Sequence, residues 1–315
     1  MARYRNHLPQ LDGGLFLTDG GAETTLIFHE GFDLPYFAAF VLVDDETGRE
    51  ALRRYYNRYA EIARANGAGF ILESPTWRAS ADWATKLGYS RNRLAETNRR
   101  AIALMAEIRD DLGATGNPVV ISGQMGPRGD GYDPSAIMSP DEAQTYHGDQ
   151  IRAFAQADAD MIAALTMTNV NEALGIAQAA QAAGMPAAIS FTLETDGRLP
   201  TGQGLKEAIE EVDAATGAAP AYFMINCAHP THFEAELDTD EAWVKRIRGI
   251  RANASRRSHA ELDEAPDLDD GNPEEFGRQH AAIRARHPQI TVLGGCCGSD
   301  HRHVEHICGA IRQAA

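Results

Sequence analysis

The chain has 315 residues, 43% of them hydrophobic and 23% charged, which is enough to bury a sizeable core. It carries 45 acidic and 29 basic residues, for a net charge of -16, and that excess argues against a nucleic-acid or anionic-membrane partner. No apolar stretch approaches the ~20 residues that span a bilayer, and Met1 to Gln10 is polar and basic rather than a signal peptide. The expected compartment is a reducing cytoplasm. There, four cysteines point to a metal site or a reactive thiol rather than a disulfide framework.

In chain order, Leu15 to Thr18 is a short apolar run closed by Asp19-Gly20-Gly21, with Ala22 to Phe28 following and Glu23 just past the turn. Leu34 to Val43 has no clear period and is expected to cover one end of the fold. Glu50 to Ala65 has helical spacing through Leu52, Tyr55, Tyr56, Tyr59 and Ile62. Gly69 to Leu72 reads as a second strand ending at Glu73, Ala95 to Leu112 as a helix, and Pro118 to Ser122 as a third strand followed by Gly123 and Gly126-Pro127. Ser139 with Glu142 three residues on has the capping-box pattern for a helix over 140–157.

Asp160 to Leu165 is the fourth strand, and Asn169 to Ala183 an alanine-rich helix stopped by Gly184. Pro186 to Leu193 and Ala221 to Ile225 are strands five and six, separated by a helix over 205–214. The sixth ends at Asn226-Cys227, and Thr231 to Leu237 opens the next helix. Val244 to Arg251 is the weakest strand, the seventh. Asn253 to Asn272 is polar, acidic and proline-containing and reads as a mobile loop. Pro273 to Ala285 is a helix, and Ile290 to Leu293 is the eighth strand. Eight strand-then-helix units with no composition shift predict an α/β fold. It is a single-domain (β/α)8 barrel over residues 1–315, rather than an open doubly wound sheet.

The eighth strand runs into Gly294-Gly295-Cys296-Cys297-Gly298, and Ser299 with Asp300 can cap a helix through His303, Ile307 and Ile311. Adjacent cysteines rarely bridge each other, whereas flanking glycines let both sulfurs face one point. Cys227, at the end of strand six, is the candidate third thiol. Three thiolates hold zinc and leave a tetrahedral position open, as catalytic zinc sites do. Cys308 lies mid-helix beside Ile307 and reads as core.

The chain resembles the homocysteine S-methyltransferase family, which includes the zinc-thiolate domain of cobalamin-dependent methionine synthase and betaine–homocysteine methyltransferase. The resemblance rests chiefly on Asn226-Cys227 and Gly294 to Gly298. Asp19-Gly20-Gly21, Gly126-Pro127, and Tyr146-His147 with Gln150 add to it. It implies that Cys227, Cys296 and Cys297 bind Zn2+ and that the open position takes the thiol of L-homocysteine. It also implies that Asp19 contacts the amino-acid acceptor. From their positions, Glu23 can sit in the same pocket and Asn226 can orient the metal site. Glu23 as a helix cap, and Asp19 and Asn226 as turn residues, remain as alternatives. Glu73, Glu194 and His229 sit at strand ends without an assigned partner.

The expected partners are a small-molecule thiol acceptor and a methyl donor, with no nucleic acid and no membrane. The donor is expected to be a cation, S-methylmethionine or S-adenosylmethionine, because no cobalamin- or folate-binding domain accompanies the barrel. One departure stands out. Where the family has a carboxylate after strand four that helps hold the acceptor's ammonium group, this chain has Leu165, in Ala164-Leu165-Thr166. The proline-and-asparagine motif after strand seven is also blurred, to Asn253-Ala254-Ser255. Glu73 or Glu194 substitutes for the missing carboxylate, or the acceptor is another thiol or a selenol. A metal- or thiol-binding barrel without catalysis is the remaining reading.

Overall fold

A computed structural model describes every residue except 114, 115, 136, 266 and 315, and describes Asp263 by its backbone alone. The chain runs through β1 (Phe16–Leu17), α1 (Glu46–Ala65), β2 (Gly69–Glu73), α2 (Ala81–Lys86), α3 (Arg91–Asp111), β3 (Val119–Met125), α4 (Pro140–Gln156), β4 (Met161–Met167), α5 (Val170–Ala182), β5 (Ala187–Phe191) and α6 (Leu205–Thr216). It continues through β6 (Tyr222–Asn226), α7 (Pro230–Phe233), β7 (Ile247–Ala252), α8 (His259–Asp263), α9 (Pro273–Arg286), β8 (Val292–Gly295) and α10 (His301–Ala314). The eight strands are all parallel and pair in sequence order, and β1 pairs with β8 to close the barrel. This is the expected (β/α)8 architecture. No helix among the described residues is long and apolar enough to cross a membrane.

Side-chain alternation along each strand divides the buried residues in two. Leu17, Phe70, Ile121, Ile162, Ile189, Phe223 and Leu293 face outward and pack under the helices. Phe16, Ile71, Val120, Ala163, Ala188, Met224 and Val292 face the lumen. Two residues further along each strand, toward the carboxyl end, the lumen-facing positions become Thr18, Glu73, Ser122, Leu165, Ser190, Asn226, Arg251 and Gly294. The lumen is therefore plugged with apolar side chains below and is polar at its carboxyl mouth, where barrel enzymes place their chemistry.

Local signals set most boundaries. Ser139 and Glu142 form the expected capping box on α4. The segment 34–43 folds as two short 3-10 turns, Pro35–Phe37 and Ala39–Asp44, against α1 and α3. Several boundaries differ from the sequence reading: α1 begins at Glu46 rather than Glu50, α3 at Arg91 rather than Ala95, β3 runs on to Met125, and α2 was not foreseen. The chain from 242 to 246 is a 3-10 turn, so β7 starts at Ile247. The helix after β6 stops at Phe233 after one turn. The segment 253–272 is also not a featureless loop. Asn253, Ala254 and Ser255 are buried, and Ser258 with Glu261 builds a capping box on α8. Polar composition hid that helix because its polarity is cap chemistry, and residue 266 of this segment lies outside the described residues.

At the opposite, amino-terminal face, Asp160 ties three elements together. Its carboxylate accepts from Ile121 N and Tyr4 N, both at 2.9 Å, and from Arg109 Nη1 at 2.9 Å. Both charged groups are buried. Replacing Asp160→Ala leaves Arg109 buried without its counter-charge, and such a break costs about 3–5 kcal/mol. A urea titration is expected to show the unfolding free energy lowered by that amount, read as a lower midpoint at an unchanged slope.

Candidate active site

Cys227 follows the last residue of β6 and takes a left-handed backbone, φ 53°, with its N–H donating to Arg251 O at 3.1 Å. Cys296 and Cys297 follow β8. A Cβ on Gly295 would lie 1.9 Å from Ser299 Oγ, the hydroxyl that donates to Cys296 O at 2.7 Å. Only glycine fits that turn, and the turn aims the two cysteines back over the barrel mouth. The three sulfurs lie within 4.8 Å of one another. Cys227 and Cys296 are joined as a disulfide, with Cα atoms 5.5 Å apart, and Cys297 Sγ is 3.8 Å from Cys227 Sγ. The sequence favoured a metal or reactive thiols over a disulfide. Two strand ends that converge closely enough to share a ligand are also close enough to bond. The adjacent pair, Cys296 and Cys297, is unbridged, as its geometry requires.

The donor set fits zinc. Tetrahedral zinc–sulfur bonds of about 2.3 Å hold sulfurs about 3.8 Å apart, the separation seen between Cys227 and Cys297. Neighbouring groups fix the sulfurs. Asn226 accepts from Thr166 N at 2.7 Å and Ser190 Oγ at 2.6 Å, and its Nδ2 donates to Thr166 Oγ1 at 2.8 Å. The same Nδ2 faces Cys296 Sγ at 3.8 Å. Thr166 is held at φ 64°, a strained conformation for a β-branched residue, and Asn226 bonds both its backbone and its hydroxyl. From the loop after β3, Tyr132 puts its hydroxyl 3.2 Å from Cys297 Sγ. Its ring stacks on His259 with centroids 4.0 Å apart. His259 in turn bridges Glu194, 3.0 Å from Nδ1, and the carbonyl of Cys227, 2.7 Å from Nε2.

Beside the sulfurs lies a buried charge cluster. Arg251 Nη2 donates to Asp19 Oδ1 at 2.6 Å and Gly20 O at 3.2 Å, and its Nε donates to Gly295 O at 3.1 Å. Tyr55 OH donates to the other Asp19 oxygen at 2.9 Å. Glu73 Oε2 stands 3.8 Å from Arg251 Nη1. Burial raises the Asp19 carboxyl, and Arg251 and Tyr55 pull it back without cancelling the rise. Burial pushes Glu73 up to about 8, against the pull of Arg251 and with a further push from Asp19. Burial pulls the Arg251 guanidinium down, but Asp19 and Glu73 outweigh it and keep it charged. Glu23, half-buried before a π-helical turn at Thr24–His29, is raised by burial too. His229 does not join the sulfurs. It caps α7 through Thr231 N, and burial lowers it to about 3.

The family model described as homocysteine S-methyltransferase matches residues 16–311. The chain belongs to the homocysteine S-methyltransferase family. It is 24% identical to homocysteine S-methyltransferase 4 of Zea mays, an alignment covering 96% of this chain and 91% of the maize protein. It is also 24% identical to selenocysteine Se-methyltransferase of Brassica oleracea var. italica, over 90% of this chain and 85% of that one. Among solved structures, the homocysteine methyltransferase MmuM of Escherichia coli superimposes with a TM-score of 0.73 in its metallated form. That match has 20% identity and covers 98% of this chain and 99% of MmuM. The oxidized form of MmuM gives a TM-score of 0.72 at 20% identity, over 94% and 96% of the two chains.

Within this family framework, Asp19 and Asn226 sit in the mouth, and Asp19 is engaged by Arg251. Glu194 reaches the sulfurs only through His259. Arg251, Tyr132 and His259 escaped the sequence reading. The alternation that puts Arg251 in the lumen was readable only from a register that the weak seventh strand did not supply. The raised Glu73 carboxyl sets a pH dependence. The native state holds that proton up to about pH 8, whereas the unfolded chain releases it near the ordinary glutamate value of 4.5. The stabilisation is complete below the unfolded value and is lost as pH rises through about 8. Wild-type stability is expected to decline across that window more steeply than that of Glu73→Gln, measured by urea midpoints at each pH.

Proposed function

We propose that this family member is a zinc-dependent S-methyltransferase. It moves a methyl group from a cationic donor, S-methylmethionine or S-adenosylmethionine, to the thiol of L-homocysteine, giving methionine. The observation that carries the reading is the convergence of Cys227, Cys296 and Cys297 within 4.8 Å at the mouth of a barrel. In the reduced protein these three side chains hold Zn2+. Zinc so held supplies deprotonation of an incoming thiol at neutral pH, where a free thiol of pKa about 8.5 is mostly protonated.

The protein's own groups do the rest. Asn226 holds its amide toward Cys296 and keeps the Thr166 turn closed, which fixes the direction of the metal-binding face. Tyr132 directs its hydroxyl at Cys297 and, stacked on His259, walls the site on the side of the loop after β3. Asp19 acts on the acceptor through Arg251, which it anchors, and Glu23, its carboxyl raised by burial, stands at the same end. Methyl transfer is an in-line displacement. The acceptor sulfur forms a bond to the methyl carbon as the bond from that carbon to the donor's cationic centre breaks, and the pair of electrons leaves with the now neutral product. Holding the two reactants in one orientation supplies much of the acceleration.

A second reading keeps the zinc and changes the acceptor to a selenol. It is favoured by Leu165 at the mouth and by the 24% identity to the Brassica selenocysteine Se-methyltransferase.

The test is metal analysis of freshly reduced protein, followed by a panel of donors and acceptors read by mass spectrometry. About one zinc per chain is expected. Cys227→Ser, Cys296→Ser or Cys297→Ser is expected to lose most of the metal. Each should lower kcat/KM by at least the 10–100-fold, roughly, that weaker perturbations around such sites cost. Absence of zinc from the reduced protein overturns the reading.

A further inference from the structure

The lumen mouth contains two buried groups of opposite charge that face each other without bonding. Glu73 reaches in from the end of β2 and Arg251 from β7, with Oε2 and Nη1 3.8 Å apart. Both side chains are at least nine-tenths buried, at 2% and 4% exposure. Neither Glu73 Oε2 nor Arg251 Nη1 has a hydrogen-bond partner. Ser122 Oγ, on the residue in register with Glu73, lacks one as well. Buried charges are almost always hydrogen-bonded, so two orphaned charged atoms 3.8 Å apart, with an orphaned hydroxyl on the strand beside Glu73, mark a place built for a ligand.

The rest of Arg251 is fixed. Asp19, Gly20 and Gly295 take its Nη2 and Nε, so the guanidinium cannot swing to close on Glu73 without breaking those bonds. Asp19 itself is filled by Arg251 and Tyr55 and has no free oxygen to offer. The other side chains at this level of the lumen, Thr18, Ser122, Leu165, Ser190 and Asn226 with Gly294, carry no charge.

We infer that Glu73 and Arg251 form an open clamp for the zwitterion of an α-amino acid. The acceptor's ammonium group sits on the Glu73 carboxylate, and its carboxylate sits on Arg251 Nη1 and Ser122 Oγ. The inference rests on the methyl-transfer reading and names its acceptor class, a short thiol or selenol amino acid. The charge balance favours it. With Asp19 balancing Arg251 and the Glu73 carboxyl holding its proton up to about pH 8, a carboxylate arriving alone leaves a net negative charge in the pocket, whereas a zwitterion leaves it neutral. The placement is also right. Arg251 Nε donates to the carbonyl of Gly295, the residue before Cys296, and Asn226, in register with Arg251 on the neighbouring strand, faces Cys296 Sγ at 3.8 Å, so the clamp and the sulfurs share one mouth. Glu73 thereby supplies from β2 the carboxylate that Leu165 does not supply from β4.

Equilibrium binding by calorimetry tests this on the full-length protein, with thioether probes that need neither a thiolate nor turnover. The probes are L-methionine, 4-(methylsulfanyl)butanoate, which lacks the ammonium, and 3-(methylsulfanyl)propan-1-amine, which lacks the carboxylate. Wild type is expected to bind L-methionine about 10–100-fold more tightly than either analogue, the range of one charge-assisted hydrogen bond. Glu73→Gln should erase the preference over 4-(methylsulfanyl)butanoate alone. Arg251→Lys, which keeps the charge beside Asp19, should reduce the preference over the amine alone. Equal binding of the three probes by wild type, no measurable binding of L-methionine, or an equal loss for all three in Glu73→Gln overturns the clamp. A purely structural role for Glu73 predicts that last pattern. Methyl transfer that runs equally well on L-homocysteine and 4-sulfanylbutanoate also removes the clamp and leaves the methyltransferase reading standing. A probe preference without methyl transfer from any donor does the reverse.

Discussion

Pairing of β1 with β8 is the constraint from which the site follows. An open sheet would leave Asp19, at the end of β1, and the cysteine turn after β8 on opposite edges. Closure makes them neighbours: Gly295 N donates to Asp19 O, and Thr18 N donates to Leu293 O at 2.9 Å. Strand β7 lies between β6 and β8, so Cys227 and Cys296, 69 residues apart in sequence, meet across a single intervening strand. Arg251 sits on that strand. Its backbone carbonyl accepts from Cys227 N while its side chain donates to Asp19 and to Gly295 O, so one residue ties the sulfur site to the charged end of the pocket.

Electrostatics at the mouth depends on the same closure. Charges so deeply buried are stable only when paired, because moving an ion out of water costs several kcal/mol even after relaxation. Asp19 meets that requirement through Arg251 and Tyr55. Glu73 does not, and its carboxyl rises to about 8 even beside a guanidinium. A protein that gained only stability from these groups would close the ion pair or replace it with apolar side chains. Leaving it open carries a stability cost, and such strained polar groups collect at binding sites.

Much of this was legible in the sequence, and the limits have physical causes. Apolar runs of four to seven residues ending in glycine or polar turns revealed the strands, because a parallel strand buried on both faces leaves no polar alternation to confuse the reading. Gly294 to Gly298 revealed the cysteine turn, since two adjacent thiols between glycines are poor core material. Cys308 was recognised as core from its place on a helix face, and it is buried in α10. Arg251 was invisible because an arginine at the end of an uncertain strand reads as a solvated terminus. Only the register Arg251↔Gly294 shows that it points inward. Tyr132 comes from a loop whose sequence carries no period, and His259 from a helix concealed by its own polar caps. Those residues are placed by contacts far apart in sequence, which local pattern does not encode.

Leu165 bears directly on how the mouth can be charged. Leu165 joins the apolar plug of the lumen with Ile71, Val120 and Ala163. A carboxylate at that position would need a counter-charge across the mouth. With Asp19 and Glu73 already present, a third acid would leave one guanidinium facing three carboxylates. Arg251 and Glu73 on one side and Leu165 on the other therefore form one internally consistent set, in which an acidic group on β2 has a fixed cation beside it and β4 contributes an apolar side chain. A pocket so arranged recognises a ligand by two charges held at a set spacing, whereas a pocket with acids alone recognises only an ammonium group. That difference is a specificity device, because an unpaired buried charge left by the wrong ligand costs far more than a lost surface contact.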